Sequence, residues 1–456
     1  MTLHLKSRGY PFRPRVLFSS FIVVGVGFPT VYYFRRGQAC HQEPIANESG
    51  QLCAFSYICK RLRSGYVEPT ATDHFYFSRL YRSHRAMQEP NKPRVIISGG
   101  GTGGHINPAL AIADEVRRRY PESQILFVGA LGRMEMERVP AAGYEIVGLP
   151  VMGMDRKRLW RNFKVLRSLI KSRLMVRKTL TEFHPDLAVG VGGYASAPTL
   201  KEAQRSGIPT LLQEQNSYAG VTNKLLAREA KCICVAYPGM ERFFPSDRII
   251  LTGNPVRHAI EYNHTTREEA CAYFALPSSL SRTILVMGGS LGARTINESV
   301  VAALPEWSKL GYQLIWQTGR SYEHEAQELI KEYDISKRAY VSAYVERMDL
   351  AYSLADVAVS RAGALSVSEL CLSELPAILI PSPNVAEDHQ TKNARALSTR
   401  GAAILLPDSE AVGQMGLTIT ELLKDETRRD EMKAALRDLA TPQAVERIVD
   451  QMELLW

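Results

Sequence analysis

The chain has 456 residues, 45% hydrophobic and 23% charged, a composition that excludes a disordered or fibrous protein and predicts two or three domains. Basic residues exceed acidic ones by nine, yet residues 1–93 hold 13 Lys/Arg against 5 Asp/Glu while residues 94–456 hold 43 against 42. The basic excess belongs to the prefix, and the nearly neutral body gives no footprint for nucleic acid. The seven cysteines lack paired metal-ligand spacing and the density of a disulfide scaffold, so Cys232, Cys234, Cys271 and Cys371 are expected to be reduced core residues of an intracellular body.

In chain order, the first feature is a run of 19 uncharged, mostly apolar residues at 16–34, long enough as a helix, about 28 Å, to reach across a hydrocarbon core. Arg13 and Arg15 precede it and Arg35 and Arg36 follow it, which leaves orientation undecided, while Gly25, Gly27 and Pro29 weaken a simple spanning helix. Residues 37–93 have no sustained period and read as a tether without function. Met87 stands just ahead of the first strand of the body. The prefix therefore reads in three ways: an over-extended start, a membrane anchor, or a targeting peptide, which would also be basic and poor in acid.

Val95-Ile96-Ile97-Ser98 predicts a strand, Gly99-Gly100-Gly101-Thr102-Gly103-Gly104-His105 breaks it, and residues 108–116 resume with helical spacing. Such a turn points backbone N–H groups and a helix N-terminus at an anion, and only glycine lets a ligand approach the main chain so closely. Gly99, Gly101 and Gly104 satisfy G-x-G-x-x-G, but the next strand, Gln124-Ile125-Leu126-Phe127-Val128, ends in Gly129-Ala130. The acidic residue that holds a dinucleotide ribose is missing there, which disfavours a nicotinamide dehydrogenase. The arrangement recurs: Thr283-Ile284-Leu285-Val286-Met287 predicts a buried strand, Gly288-Gly289-Ser290-Leu291-Gly292-Ala293 the turn, and Thr295 onward a helix. Short apolar runs at 187–191, 210–213, 313–317 and 377–380 alternate with helical patterns. The fold class is therefore α/β, with two Rossmann-like domains of parallel sheet, 94–254 and 255–456, hinged at Gly253-Asn254-Pro255-Val256-Arg257 and facing a ligand cleft at the carboxyl ends of both sheets.

At this point seven ordered motifs resemble the MurG family: Gly100-Gly101-Thr102-Gly103-Gly104-His105, Gly192-Gly193-Tyr194, Gln213-Glu214-Gln215-Asn216, Gly253-Asn254-Pro255-Val256-Arg257, Gly288-Gly289-Ser290, Ser366-Val367-Ser368-Glu369 and Asp388-His389-Gln390-Thr391-Lys392-Asn393-Ala394. The match runs from about Arg94 to the C-terminus. The resemblance implies a GT-B fold whose final helices pack back. It implies an inverting, metal-independent and cofactor-free transfer of N-acetylglucosamine from UDP-N-acetylglucosamine to a polyprenyl-pyrophosphate-linked muramyl-pentapeptide. It further implies a peripheral enzyme on the cytoplasmic face of the bacterial inner membrane. Two rivals are a related UDP-sugar transferase acting on diacylglycerol and a non-catalytic sugar-nucleotide-binding scaffold.

His105, at a helix start, is either a general base or a loop-capping histidine; the resemblance implies the base that deprotonates the attacking hydroxyl, with Thr102, Gly103 and Gly104 beside the substrate. Ser290 is either a helix cap or a donor to the departing diphosphate, and Arg257 either a surface arginine or a second diphosphate contact. The segment Gly363-Ala364-Leu365-Ser366-Val367-Ser368-Glu369 opens a helix, and the resemblance implies that it holds the nucleotide, with Glu369 on the ribose. Val345 lines the uracil pocket by the same resemblance, or is core. His389, Gln390 and Asn216 would read the sugars, which suits groups that both donate and accept; polar loop positions are the alternative.

Residues 155–178 carry ten Lys/Arg against the single Asp155, interleaved with Leu159, Trp160, Phe163, Leu166, Ile170 and Leu174 near helical spacing. This is either a surface for an anionic membrane or a solvated helix packing its apolar stripe on the core.

Overall fold

The computed structural model describes residues 92–456 except 102, 152–161, 280–281, 290–291 and 386–387, the side chains at 162–166 also being undescribed, together with strands at 21–25, 31–35 and 38–39. The chain separates into two units, Met1–Pro90 and Asn91–Trp456. In the first, Phe21–Gly25 pairs antiparallel with Val31–Arg35, Phe21 opposite Arg35. The described parts of the apolar run are thus strands, a correction to the spanning-helix reading. Their physical basis is the β-branched and aromatic content of FIVVG and VYYFR. No helix among the described residues is long and apolar enough to cross a membrane.

In the second unit, seven strands form one sheet in the spatial order Ile249–Leu251, Cys232–Val235, Thr210–Glu214, Leu187–Gly192, Arg94–Gly99, Gln124–Ala130, Glu145–Leu149, and every pair is parallel. Six form a second parallel sheet in the order Ala339–Ser342, Gln313–Gln317, Thr283–Met287, Val357–Ser360, Ala377–Leu379, Ala403–Leu405. Both sheets reverse strand order beside their first strand. The crevice outside the carboxyl ends at such a reversal is where open α/β sheets bind ligands, and each glycine loop leaves its sheet there.

Strands buried on both faces need continuous apolar runs, and these have them. Val95, Ile97, Val189 and Val191 pack with Ile112 and Val116 of the helix Gly103–Arg119. Ile96 and Ala188 face the other way, onto Val176 and Leu180 of the helix Asn162–Phe183. The second sheet repeats the pattern, Leu285 and Ala358 meeting Ala351 and Leu370 on one face, Ile284, Val286 and Val357 meeting Val300, Leu304 and Ile419 on the other. The final helix, Ala444–Glu453, returns to the first sheet: Ile448, Val449 and Met452 enter its core, and Arg119 pairs with Asp450 and Glu453 at 2.6 and 2.9 Å. Cys232, Cys234, Cys271 and Cys371 are free and buried.

Candidate active site

The first glycine loop is held by close contact rather than by side chains of its own. Gly100 and Gly101 have φ of +150° and +89°, in the region that penalises a Cβ. A Cβ on Gly193, itself at φ +92°, would stand 2.4 Å from the Gly100 carbonyl oxygen, and one on Gly192 would stand 2.9 Å from the His105 ring. The Gly192-Gly193 pair therefore lets the neighbouring strand end close onto the loop and onto His105. Glu135, 1% exposed, braces the loop from the other side: its carboxylate accepts from the N–H of Gly101 at 2.9 Å and of Ala130 at 3.0 Å.

His105 lies in the first turn of Gly103–Arg119, partly buried. Burial holds its imidazole below the ordinary 6.5; the Glu135 carboxylate and a hydrogen bond with the Gly100 main chain oppose this, and His389 adds to the depression. The ring is therefore neutral at neutral pH, ready to take a proton. His389 opens the helix His389–Ser398 of the second half, so the two histidines act on one another electrostatically across the two halves.

On the second-half wall, Glu369 is 6% exposed in the helix Ala364–Leu372. Its Oε2 accepts from the Tyr352 hydroxyl at 2.9 Å. Its Oε1 has no hydrogen-bond partner among the described residues, and Nη2 of Arg257 stands 4.0 Å from it. Burial raises the carboxyl's pKa, and Arg257 and the Tyr352 hydrogen bond pull it back. An orphaned buried carboxylate oxygen beside an arginine is what a hydroxylated, anionic ligand would satisfy.

Asn254, in the segment between the sheets, ties the walls together: its amide donates to the Gln215 carbonyl at 3.2 Å and to Ser368 Oγ at 3.0 Å. Two further contacts join the halves: Glu137 pairs with Arg320 at 2.8 Å and the Arg138 guanidinium lies 3.6 Å from the Tyr344 ring centroid. Both N-terminal partners sit on Glu135–Ala141, the short helix that also supplies Glu135.

The structure thus couples His105 electrostatically to His389 and sets Arg257 4.0 Å from Glu369. Gly103 and Gly104 begin the His105 helix. Ala364, Leu365 and Val367 are buried, Ser366 and Ser368 partly so, and Ser368 Oγ donates to the Ala364 carbonyl at 3.1 Å. Gln390 Oε1 accepts from the Ser382 N–H at 2.8 Å. Asn216 is turned to Glu214, which accepts from its N–H at 3.1 Å and also from the N–H of Gly220 and the Asn223 amide, both at 2.9 Å. Val345 is wholly buried in the core, with its N–H given to Gln317 at 3.1 Å. Thr102 and Ser290 lie outside the described residues. Glu135, Tyr352 and Asn254 carry no motif signal of their own as side chains; only Asn254 sits inside a quoted motif.

Residues 95–235 match the glycosyltransferase family 28 N-terminal domain and residues 283–449 the glycosyltransferase family 28 C-terminal domain. The UDP-N-acetylglucosamine--N-acetylmuramyl-(pentapeptide) pyrophosphoryl-undecaprenol N-acetylglucosamine transferase of Porphyromonas gingivalis is 56% identical over 361 residues, 79% of this chain and 95% of that one. That of Parabacteroides distasonis is 54% identical over 361 residues, 79% of this chain and 98% of its own length. The crystal structure of Acinetobacter baumannii MurG superposes with a TM-score of 0.60 at 27% identity, over 80% of this chain and 99% of that one. Two parallel α/β sheets, each with a reversal of strand order beside its first strand, both family 28 domains and relatives of this identity together establish a GT-B enzyme, and the chain belongs to glycosyltransferase family 28 and, within it, to the MurG family.

Proposed function

We propose that this chain transfers N-acetylglucosamine from UDP-N-acetylglucosamine to the C4 hydroxyl of a muramyl-pentapeptide carried on pyrophosphoryl-undecaprenol. The reading is supported by His105, whose depressed imidazole is coupled electrostatically to His389 of the other half, together with the buried Glu369 carboxylate beside Arg257. The acceptor hydroxyl gives its proton to His105 as its oxygen bonds to the anomeric carbon. The bond from that carbon to the diphosphate oxygen breaks, its electron pair leaves with UDP, and the centre inverts. Charge growing on the diphosphate is met by Arg257, by Ser290 and by the N-terminus of the helix Arg294–Leu310, which supplies electrostatic stabilisation without a metal ion. Glu369 takes the ribose hydroxyls, and His389, Gln390 and Asn216 read the sugars. Calorimetric titration tests the donor: the reading expects UDP-N-acetylglucosamine to bind more tightly than UDP-glucose, and preference for NADH would defeat it.

The acceptor's reactive sugar lies just outside a bilayer, so the N-terminal half must approach an anionic surface. The helix Asn162–Phe183 buries Val176 and Leu180 but leaves Leu169, Ile170 and Leu174 at 41%, 52% and 64% exposure, beside exposed Arg167, Lys171 and Arg177. A stripe that served only the core would not expose these three. This supports peripheral docking through residues 155–178, at the cytoplasmic face of the inner membrane. Each basic charge near such a surface contributes about 1 kcal/mol. Changing Arg156, Lys157, Arg158 and Arg161 to glutamate is expected to reduce cosedimentation with anionic vesicles at low salt and to raise KM for bilayer-embedded acceptor, with donor affinity unchanged. Equal vesicle binding by both proteins would remove this patch as the docking surface.

A further inference from the structure

Glu369 has a partner that the transfer chemistry does not call for. Tyr352, 4% exposed, comes from the neighbouring helix Met348–Leu354 and packs its ring into the same core cluster as Leu370 and Leu365. Its hydroxyl donates to Glu369 Oε2 at 2.9 Å and lies 3.5 Å from the sulfur of Met287, the last residue of the strand that delivers the second glycine loop. The carboxylate is the stronger acceptor of the two and takes the single hydroxyl proton.

We propose that Tyr352 is a positioning residue for the nucleotide: by occupying Glu369 Oε2 it fixes the carboxylate plane and leaves Oε1 as the oxygen presented to the ribose hydroxyls. This rests on the reading of Glu369 as the ribose ligand. A glutamate's terminal torsion is broad and roughly two-fold, so an unheld carboxylate would have to be ordered on binding, at an entropic cost that lowers affinity. Here a ring packed into the core orders it in advance. One oxygen is satisfied and the other, buried and without a hydrogen-bond partner among the described residues, is kept for the ligand. Tyr352 also controls charge. The groups acting on Glu369 are Arg257 and Tyr352, both of which favour its ionised form against burial. Tyr344 acts in turn on Tyr352, whose own hydroxyl is held well above its ordinary pKa by burial and by Glu369, so it remains a donor throughout the working range.

Removing the hydroxyl alone, by Tyr352→Phe, should therefore do two things that a packing defect would not. The Kd for UDP and the KM for UDP-N-acetylglucosamine should rise about tenfold at neutral pH, the scale of a lost charge-assisted hydrogen bond, while kcat at saturating donor stays near wild type. The acid limb of UDP binding should also move to higher pH, because Glu369 without its donor protonates more readily. A 3,5-difluorotyrosine at position 352, a stronger donor of nearly the same shape, should move that limb the other way. Calorimetry of UDP binding across pH, with thermal unfolding as the check on folding, measures both. In the Glu369→Gln background, Tyr352→Phe should shift no limb, since the titrating group is gone. If Glu369→Gln weakens UDP binding but Tyr352→Phe matches wild type in Kd and pH profile, the positioning role is overturned. If Glu369→Gln itself leaves UDP affinity unchanged, it is the ribose reading that fails.

Discussion

Replacing His105 with alanine should lower the turnover number by about a hundredfold or more while leaving UDP-N-acetylglucosamine affinity within a few-fold of wild type, the signature of a lost general base. The two halves of the expectation come from different walls. The ring belongs to the first half, seated against Gly192 and held neutral by burial, whereas the donor groups are Glu369 of the second half and Arg257 of the segment between the sheets, 4.0 Å apart. The pH profile gives a second signature. A base must be unprotonated to act, so at saturating donor kcat/KM for the acceptor should fall as pH drops through the His105 pKa, with a midpoint below the ordinary 6.5. That limb should be absent from the alanine variant. Near-normal turnover, with the limb retained, would return His105 to a structural role in its loop.

Replacing Glu369 should act on binding first. Glu369→Ala removes the acceptor for the ribose hydroxyls, and loss of charge-assisted hydrogen bonds of this kind should weaken UDP-N-acetylglucosamine binding by about a hundredfold. Titration calorimetry reads this directly, and unchanged affinity would contradict the assignment. The isosteric Glu369→Gln should bind poorly yet unfold at higher temperature than wild type in neutral buffer. The sign follows from the shift: the folded-state pKa lies above the unfolded 4.5, so the folded protein binds the proton more tightly. Its stability therefore falls as pH rises from 4.5 through the raised value, and at neutral pH the buried charge is a net cost. The glutamine variant escapes that cost, and its advantage should vanish below pH 4.5. A carboxylate that destabilises the fold while serving the ligand is a common arrangement at binding sites.

The parts of this architecture that were legible in the sequence are those where one local rule dominates. Val95–Ser98 and Thr283–Met287 are β-branched runs cut off by glycines, and both are first strands at a reversal of strand order. The glycines were readable because no other residue tolerates the φ values at Gly100, Gly101 and Gly193 without strain. The roles of the motif residues were readable only through resemblance. What a one-dimensional pattern does not carry is the partner chosen by packing. Glu135 lies 30 positions from His105 in a helix with nothing to mark its carboxylate as a brace for a glycine loop. Tyr352 reads as one more apolar helix residue, and its hydroxyl acquires meaning only when Glu369 is folded against it. The apolar run at 16–34 shows the opposite failure, since its length suggests a helix while its composition favours the strands seen at 21–25 and 31–35.

Sugar transfer with inversion to a lipid-linked acceptor is measured by incubating the full chain with radiolabelled UDP-N-acetylglucosamine and an undecaprenyl-pyrophosphoryl muramyl-pentapeptide in vesicles, then determining the linkage in the labelled product. The expected result is label in the lipid fraction as N-acetylglucosamine joined through a β bond to the C4 oxygen of the muramyl sugar, with UDP released in equal amount. Label transferred instead to diacylglycerol, an α linkage, or UDP-N-acetylglucosamine bound without turnover by a folded protein would contradict it.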